Sequence, residues 1–226
     1  MTTTTAQSHT LAARTAAEFV GTMFLLMTVV GSGIMAVRLT EDAGLQLLQN
    51  AIATGLILLA LIATFGPISG AHFNPVVTLG FRWQGDIDTP IASIFITAQL
   101  AGALVGTVLA NLMFQVDAIA AATTNRTGSH LLLAEVIATL GLLLMIFGPV
   151  RNRDPGVVPF TVGAYIAGAY YFTSSTSFAN PAVTIGRTIT DTFAGIAPGS
   201  APAFVAAQLV GLLVAIGVIA FIFRRD

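Results

Sequence analysis

Apolar residues run in six long stretches along this chain, at 16–37, 45–65, 91–116, 131–150, 157–172 and 201–223. A helix crossing the ~30 Å hydrocarbon core of a bilayer needs about 20 mostly apolar residues. Five stretches reach that length; the fifth, at 157–172, is short and is expected to continue toward Ser175. Two shorter apolar segments follow an Asn-Pro pair, one between the second and third stretches, one between the fifth and sixth. Each stays apolar for about ten residues, which at 1.5 Å per residue is ~15 Å of helix, or half a membrane. The pattern predicts an all-α membrane protein of six transmembrane helices and two re-entrant half-helices.

The two short segments are copies of one motif. Residues 69–80 read SGAHFNPVVTLG and residues 176–186 read TSFANPAVTIG. Asn is a strong N-cap and proline is favoured at the first helical position, so Asn74-Pro75-Val76 and Asn180-Pro181-Ala182 each start a helix. Other positions repeat as well: Ala17-Glu18 opens the first stretch and Ala134-Glu135 the fourth, while Ala98-Gln99-Leu100 and Ala207-Gln208-Leu209 lie in the third and sixth. These matches divide the chain into a polar tail at 1–10, a repeat at 11–116, a linker at 117–128 and a second repeat at 129–226. Three spans per repeat is an odd number, so the second repeat is inverted relative to the first.

Composition agrees with lipid as the solvent. Hydrophobic residues make up 55% of the chain and charged residues 8%, against roughly 25% charged in a soluble domain; the mean hydropathy is +0.88. A net charge of −1 argues against nucleic acid as a partner, and the absence of cysteine excludes disulfides and thiolate chemistry. No nucleophile or metal cluster suggests an enzyme, and no cofactor is expected. With the N-terminus inside, the cytoplasmic face collects Arg14, Arg82, Arg151, Arg153, Arg224 and Arg225 and the outer face Arg38, Arg126 and Arg187, which favours both termini cytoplasmic. Asn125-Arg126-Thr127 matches a glycosylation sequon, read as chance in a polar linker. Gly102-xxx-Gly106 and Gly211-xxx-Ala215 are read as sites of close helix packing.

An acid at lipid depth is costly and turns inward to a partner. Glu18 and Glu135, one per repeat, are read as ties for the backbone N–H groups of the two re-entrant loops, in preference to a proton relay. Inversion brings the positive ends of both half-helices together at the midplane, with the amides of Asn74 and Asn180 offered to whatever passes. A path of carbonyl acceptors and paired amides suits small neutral hydroxylated molecules, repels cations and interrupts a proton wire. A secondary transporter with broken helices is the competing class; His72 is its one ionisable candidate near the midplane.

Through these motifs the chain resembles the major intrinsic protein family, the aquaporins and glycerol facilitators, over nearly its whole length. The resemblance implies a homotetramer with one pore per subunit, in a bacterial plasma membrane, passing water or small neutral solutes. It places a selectivity filter at Thr54, Gly168, Ser177 and Val183, counted from the motif asparagines, and a pore-lining or loop-holding role at His72. Thr54 stands where water-selective members have an aromatic, Gly168 where they often have His, and Val183 where nearly all have Arg; Val76 replaces the usual Ala. The implied filter lacks ring, His and Arg at the usual places and is expected to be wide. Arg187, four residues past Val183, has two readings: a guanidinium leaning back to filter height, or a mouth residue paired with Asp191. The runs 174–179 and 190–196 resemble members associated with arsenic resistance, which implies arsenite, As(OH)₃, beside glycerol.

Overall fold

A computed structural model describes residues 9–224 of the chain, and its secondary structure there is helical throughout. The α-helices are α1 (Leu11–Leu39), α2 (Ala43–Ser69), α3 (Pro75–Gln84), α4 (Thr89–Met113), α5 (Ser129–Arg151), α6 (Val158–Phe172), α7 (Pro181–Gly186) and α8 (Ala201–Ile222). Five of them, α1, α2, α4, α5 and α8, are long and apolar enough to cross a membrane. They run past the apolar stretches at several ends, because polar side chains there close the first turn. Thr10 accepts from the Ala13 N–H, Asp42 from Leu45 and Asp88 from Ile91.

Two elements differ from the reading of the sequence. The fifth stretch does not continue toward Ser175: a single 3₁₀ turn at Pro155–Val157 leads into α6, which ends at Phe172. Fifteen residues give ~22 Å of helix, short of the ~30 Å core. The helix stops because Thr173 turns to extended backbone, its hydroxyl bonding back to the Ala169 carbonyl at 2.6 Å. The chain then enters a loop whose conformation is set elsewhere. The second short segment is also less than ten residues of α-helix, since α7 has six and gives way to a 3₁₀ turn at Arg187–Ile189.

Small residues let the helices meet at backbone distance. A Cβ at Gly102 or Gly106 of α4 would overlap the Phe19 or Met23 carbonyl oxygen of α1. Between α2 and α6, a Cβ on Gly55 would lie 2.8 Å from the Gly163 carbonyl oxygen, and one on Gly163 would lie 2.6 Å from that of Gly55. Where the two helix pairs cross, dispersion across bare backbone replaces the side-chain interlock. The core they enclose includes Leu26, Val30, Phe73, Val76, Leu143 and Phe147.

The segment between α4 and α5 is strapped to the loop after α7 rather than free. Ala120 and Ala122 donate N–H bonds to the Ile189 and Thr188 carbonyls at 3.1 and 3.0 Å, and Ala197 donates to Thr124 at 2.8 Å. Thr123 adds two bonds to Asp191.

Candidate functional site: a cavity between two asparagine-capped helices

Both loops ahead of the short helices hold non-glycine residues in the left-handed region: Ala71 and Phe73 before α3, and Thr176, Ser177 and Ala179 before α7. Such backbone costs about 1–3 kcal/mol per residue and persists only where its surroundings over-determine it. A buried carboxylate does so in each case. Glu18 Oε1 accepts from the His72 N–H at 2.9 Å and the Ser69 hydroxyl at 2.6 Å; Oε2 accepts from the Phe73 N–H at 2.7 Å and from Gln99 Nε2 at 2.8 Å. Glu135 accepts from the Phe178 and Ala179 N–H groups, each at 2.9 Å, and from Gln208 Nε2 at 2.6 Å. The glutamines also reach the hydroxyls of Thr78 and Thr184. Consecutive N–H groups converge on one carboxylate, which leaves the loop carbonyls free to point away from it.

Each asparagine has two tasks. Asn74 Oδ1 accepts from the Val76 N–H at 3.0 Å, and Asn180 Oδ1 accepts from Ala182 and Val183 at 2.9 and 3.2 Å. Their amides then cross over: Asn74 Nδ2 donates to the Ala179 carbonyl at 2.8 Å, and Asn180 Nδ2 to the Phe73 carbonyl at 2.9 Å. One N–H of each amide remains for a molecule beside it. Pro75 and Pro181 occupy the first helical position, where a missing N–H costs nothing.

A cavity of about 690 Å³ passes this pair. Its lining includes Pro67, Gly70, His72, Pro155 and Phe160, with Asn74, Val77 and Asn180, and Thr54, Tyr170, Ser177, Phe178, Val183 and Arg187. His72 packs its ring on Phe81 at 4.4 Å, nearly parallel, and its Nδ1 lies 3.1 Å from the Thr78 hydroxyl. Val76 and Ala182 are wholly buried among the helices and do not reach the wall.

Thr54, Ser177, Val183 and Arg187 all line the cavity; Gly168 does not. It is exposed, with open space where a Cβ would stand. Tyr170 lines the wall instead, buried, its hydroxyl 3.1 Å from that of Thr54. Counting back from Asn180 misses this, because two residues along a helix turn the side chain by ~200°. Tyr170 lies one helical repeat from Ile166, which also lines the wall, but only the structure shows that this face of α6 meets the cavity.

Of the two readings of Arg187, its contacts leave no place for the pairing with Asp191. Arg187 is 4% exposed, its guanidinium lies 3.5 Å from the centre of the Phe178 ring, and its Nε donates to the Ala194 carbonyl. Asp191 is not its partner. That carboxylate is exposed and accepts at Oδ1 from the Thr123 N–H and hydroxyl at 2.8 and 2.9 Å, which hold its pKa below the ordinary value.

Comparison with known proteins agrees with the geometry. The sequence profile described as "Major intrinsic protein" matches residues 5–176, which include the first Asn-Pro motif and stop short of the second. Aquaglyceroporin AqpS of Rhizobium meliloti (strain 1021) is 45% identical over 219 residues, 96% of this chain and 93% of that protein. The putative aquaporin NIP4-1 of Arabidopsis thaliana is 31% identical over 176 residues, 75% of this chain and 62% of that one. In fold, the chain superposes on the X-ray structure of the aquaglyceroporin from Plasmodium falciparum with a TM-score of 0.73, covering 94% of this chain and 97% of that one at 19% identity. The paired asparagine-capped helices, the carboxylate-braced loops and these likenesses have one meaning: the chain belongs to the major intrinsic protein family, as a multi-pass integral membrane channel.

Proposed function

We propose that this protein is a passive channel for small neutral polyhydroxylated solutes, glycerol and arsenite as As(OH)₃ among them, together with water. The observation that carries this reading is the cavity of about 690 Å³ lined by Asn74 and Asn180 and also by the small side chains of Thr54 and Val183. A solute moving through it exchanges hydration for the two asparagine amides and the carbonyls of the strained loops. The hydroxyls of Tyr170, Thr54 and Ser177, residues of the same lining, add to these. Ser177 Oγ is buried and has no hydrogen-bond partner, so it is available to a passing hydroxyl. Each hydroxyl left unpaired would cost ~1–3 kcal/mol, which is why a polar wall passes glycerol and an apolar one of equal width does not. Similarity to aquaglyceroporin AqpS points the same way.

The architecture that goes with this function is the six-plus-two plan in two inverted repeats, with α6 as the remaining span and α3 and α7 as half-helices. Both termini are cytoplasmic, so Arg187 faces outside, in the plasma membrane of a bacterium, and four copies assemble with one pore each. Converging α3 and α7 dipoles, with the Arg187 guanidinium beyond them, repel cations and set the central water as an acceptor only.

Light-scattering swelling of proteoliposomes in gradients of glycerol, urea and sorbitol tests the proposal, with arsenite uptake counted separately. Flux should be non-saturating and indifferent to a proton gradient. Passage of water with exclusion of glycerol and arsenite would establish the second reading, a water-selective pore narrowed by Arg187. That reading is favoured by the burial of the guanidinium at the cavity wall.

A further inference from the structure

Arg126 stands outside the channel motifs, in the segment between α4 and α5, and it shares a ring with Arg187 and bonds the neighbouring carbonyl. Its guanidinium lies 5.1 Å from the centre of the Phe178 ring, which Arg187 approaches to 3.5 Å. Its Nε donates to the Gly195 carbonyl at 3.0 Å; Arg187 Nε donates to the adjacent carbonyl, that of Ala194. Its own N–H is anchored on the Ser200 hydroxyl at 3.1 Å. The shared ring is itself fixed: Phe178 packs edge-on against Phe204 at 5.1 Å, beside buried Ile196, and its N–H is held by Glu135. Two guanidinium groups on one ring and two successive carbonyls repel each other, so neither holds its place without the ring and the carbonyls.

From this shared anchorage we infer that Arg126 is a positioning residue for the solute path. It pins the Gly195 carbonyl and thereby the Ala194 carbonyl beside it, and it crowds the Phe178 ring from the linker side. Arg187 is then held over the ring at the cavity wall instead of swinging toward the mouth. The linker joining the two halves of the molecule thus sets the width of the path. This rests on Arg187 lying in the solute path, as proposed above.

The test is a double-mutant cycle read in full-length protein in proteoliposomes, using the permeability ratio of xylitol, a bulkier polyol, to glycerol. Arg187→Ala should raise that ratio. Arg126→Gln, which leaves the Gly195 carbonyl without its charged donor, should raise it in the same direction by about fivefold. In the Arg187→Ala background it should add nothing, because groups acting through one another are not additive. Should Arg126→Gln fail to fold, Arg126→Lys carries the test. A lone ammonium replaces the planar group on the ring, so the ratio should shift less, and again only where Arg187 is present. Ratios that multiply in the double variant, or a lower yield of folded protein with an unchanged ratio, would overturn the positioning role. No effect of Arg187→Ala would overturn both this inference and the placement of Arg187 in the path. A shift from Arg187→Ala with none from either Arg126 variant would overturn this inference alone.

Discussion

Replacing Glu135 by glutamine keeps the shape of the side chain and removes one of its acceptor oxygens. The carboxylate accepts three bonds, from the N–H groups of Phe178 and Ala179 and from the Gln208 amide, in a site where Glu135 is fully buried. A glutamine presents its own N–H₂ to at least one of these donors. The least costly arrangement puts the new N–H₂ where Oε1 stood, facing the Phe178 N–H. The remaining oxygen keeps the bonds from Ala179 and Gln208, now without the charge, and one backbone N–H is left facing a donor. A buried donor without a partner costs about 1–3 kcal/mol, and each charge-assisted bond reduced to a neutral one loses about 1 kcal/mol more. The sum is ~2–5 kcal/mol. At roughly 2–4 °C per kcal/mol for a chain of this size, the melting temperature in detergent should fall by about 4–20 °C. Because Ser177 and Ala179 hold left-handed backbone at φ of 51° and 48°, the loop relaxes first, so glycerol flux per folded channel should fall as well. Thermal unfolding followed by size-exclusion, beside stopped-flow swelling, measures both. A variant that melts within a degree or two of the parent and conducts normally would refute the bracing account. A pH-dependent proton leak with unchanged stability would instead favour a proton relay at this carboxylate.

Asn74→Asp and Asn180→Asp set an anion against the carbonyls of Ala179 and Phe73 that the amides now serve, and cancel part of the positive field at the two helix ends. Proton or cation leak in liposomes should rise in both, and unchanged ion resistance in folded, conducting variants would count against the dipole-and-amide account. Tyr170→Phe removes the hydroxyl 3.1 Å from Thr54; with one hydrogen bond at stake, worth about 0.5–1.5 kcal/mol, glycerol permeability should drop several-fold while water is little changed, and equal losses of both would argue for a purely structural role. The Asp191 carboxyl has its pKa lowered by the bonds from Thr123, so its contribution to stability is full above the pKa of the unfolded chain and is lost as pH falls through the lower folded value. The linker should therefore resist proteolysis equally at pH 7 and 5 and become more susceptible only in stronger acid, and Asp191→Asn should abolish that dependence.

The plan of this protein was legible in its sequence wherever the physics is local or periodic. Span length against bilayer thickness, the N-cap and first-position preferences of Asn-Pro, and the cost of an acid at lipid depth each act within a few residues. Hence the paired short helices and the pairing of one glutamate with each loop could be read directly, although which atoms the carboxylates bind could not. Counting back from Asn180 to Gly168 passes through a loop, so the count alone does not say which face of α6 meets the cavity; Tyr170 lines it and Gly168 is exposed. The conformation of residues 173–179 is itself not local. That conformation is imposed by Glu135, 43 and 44 residues earlier than its partners Phe178 and Ala179, and by Asn74 across the midplane. The partner of Arg187 was likewise beyond reach. Helical spacing pointed to Asp191, but α7 ends after six residues, and beyond a helix end the four-residue rule no longer applies. Asp191 goes to Thr123 of the linker, and Arg187 settles on Phe178 and a backbone carbonyl. These contacts join segments brought together only when both halves of the chain have packed, so only the tertiary structure decides them.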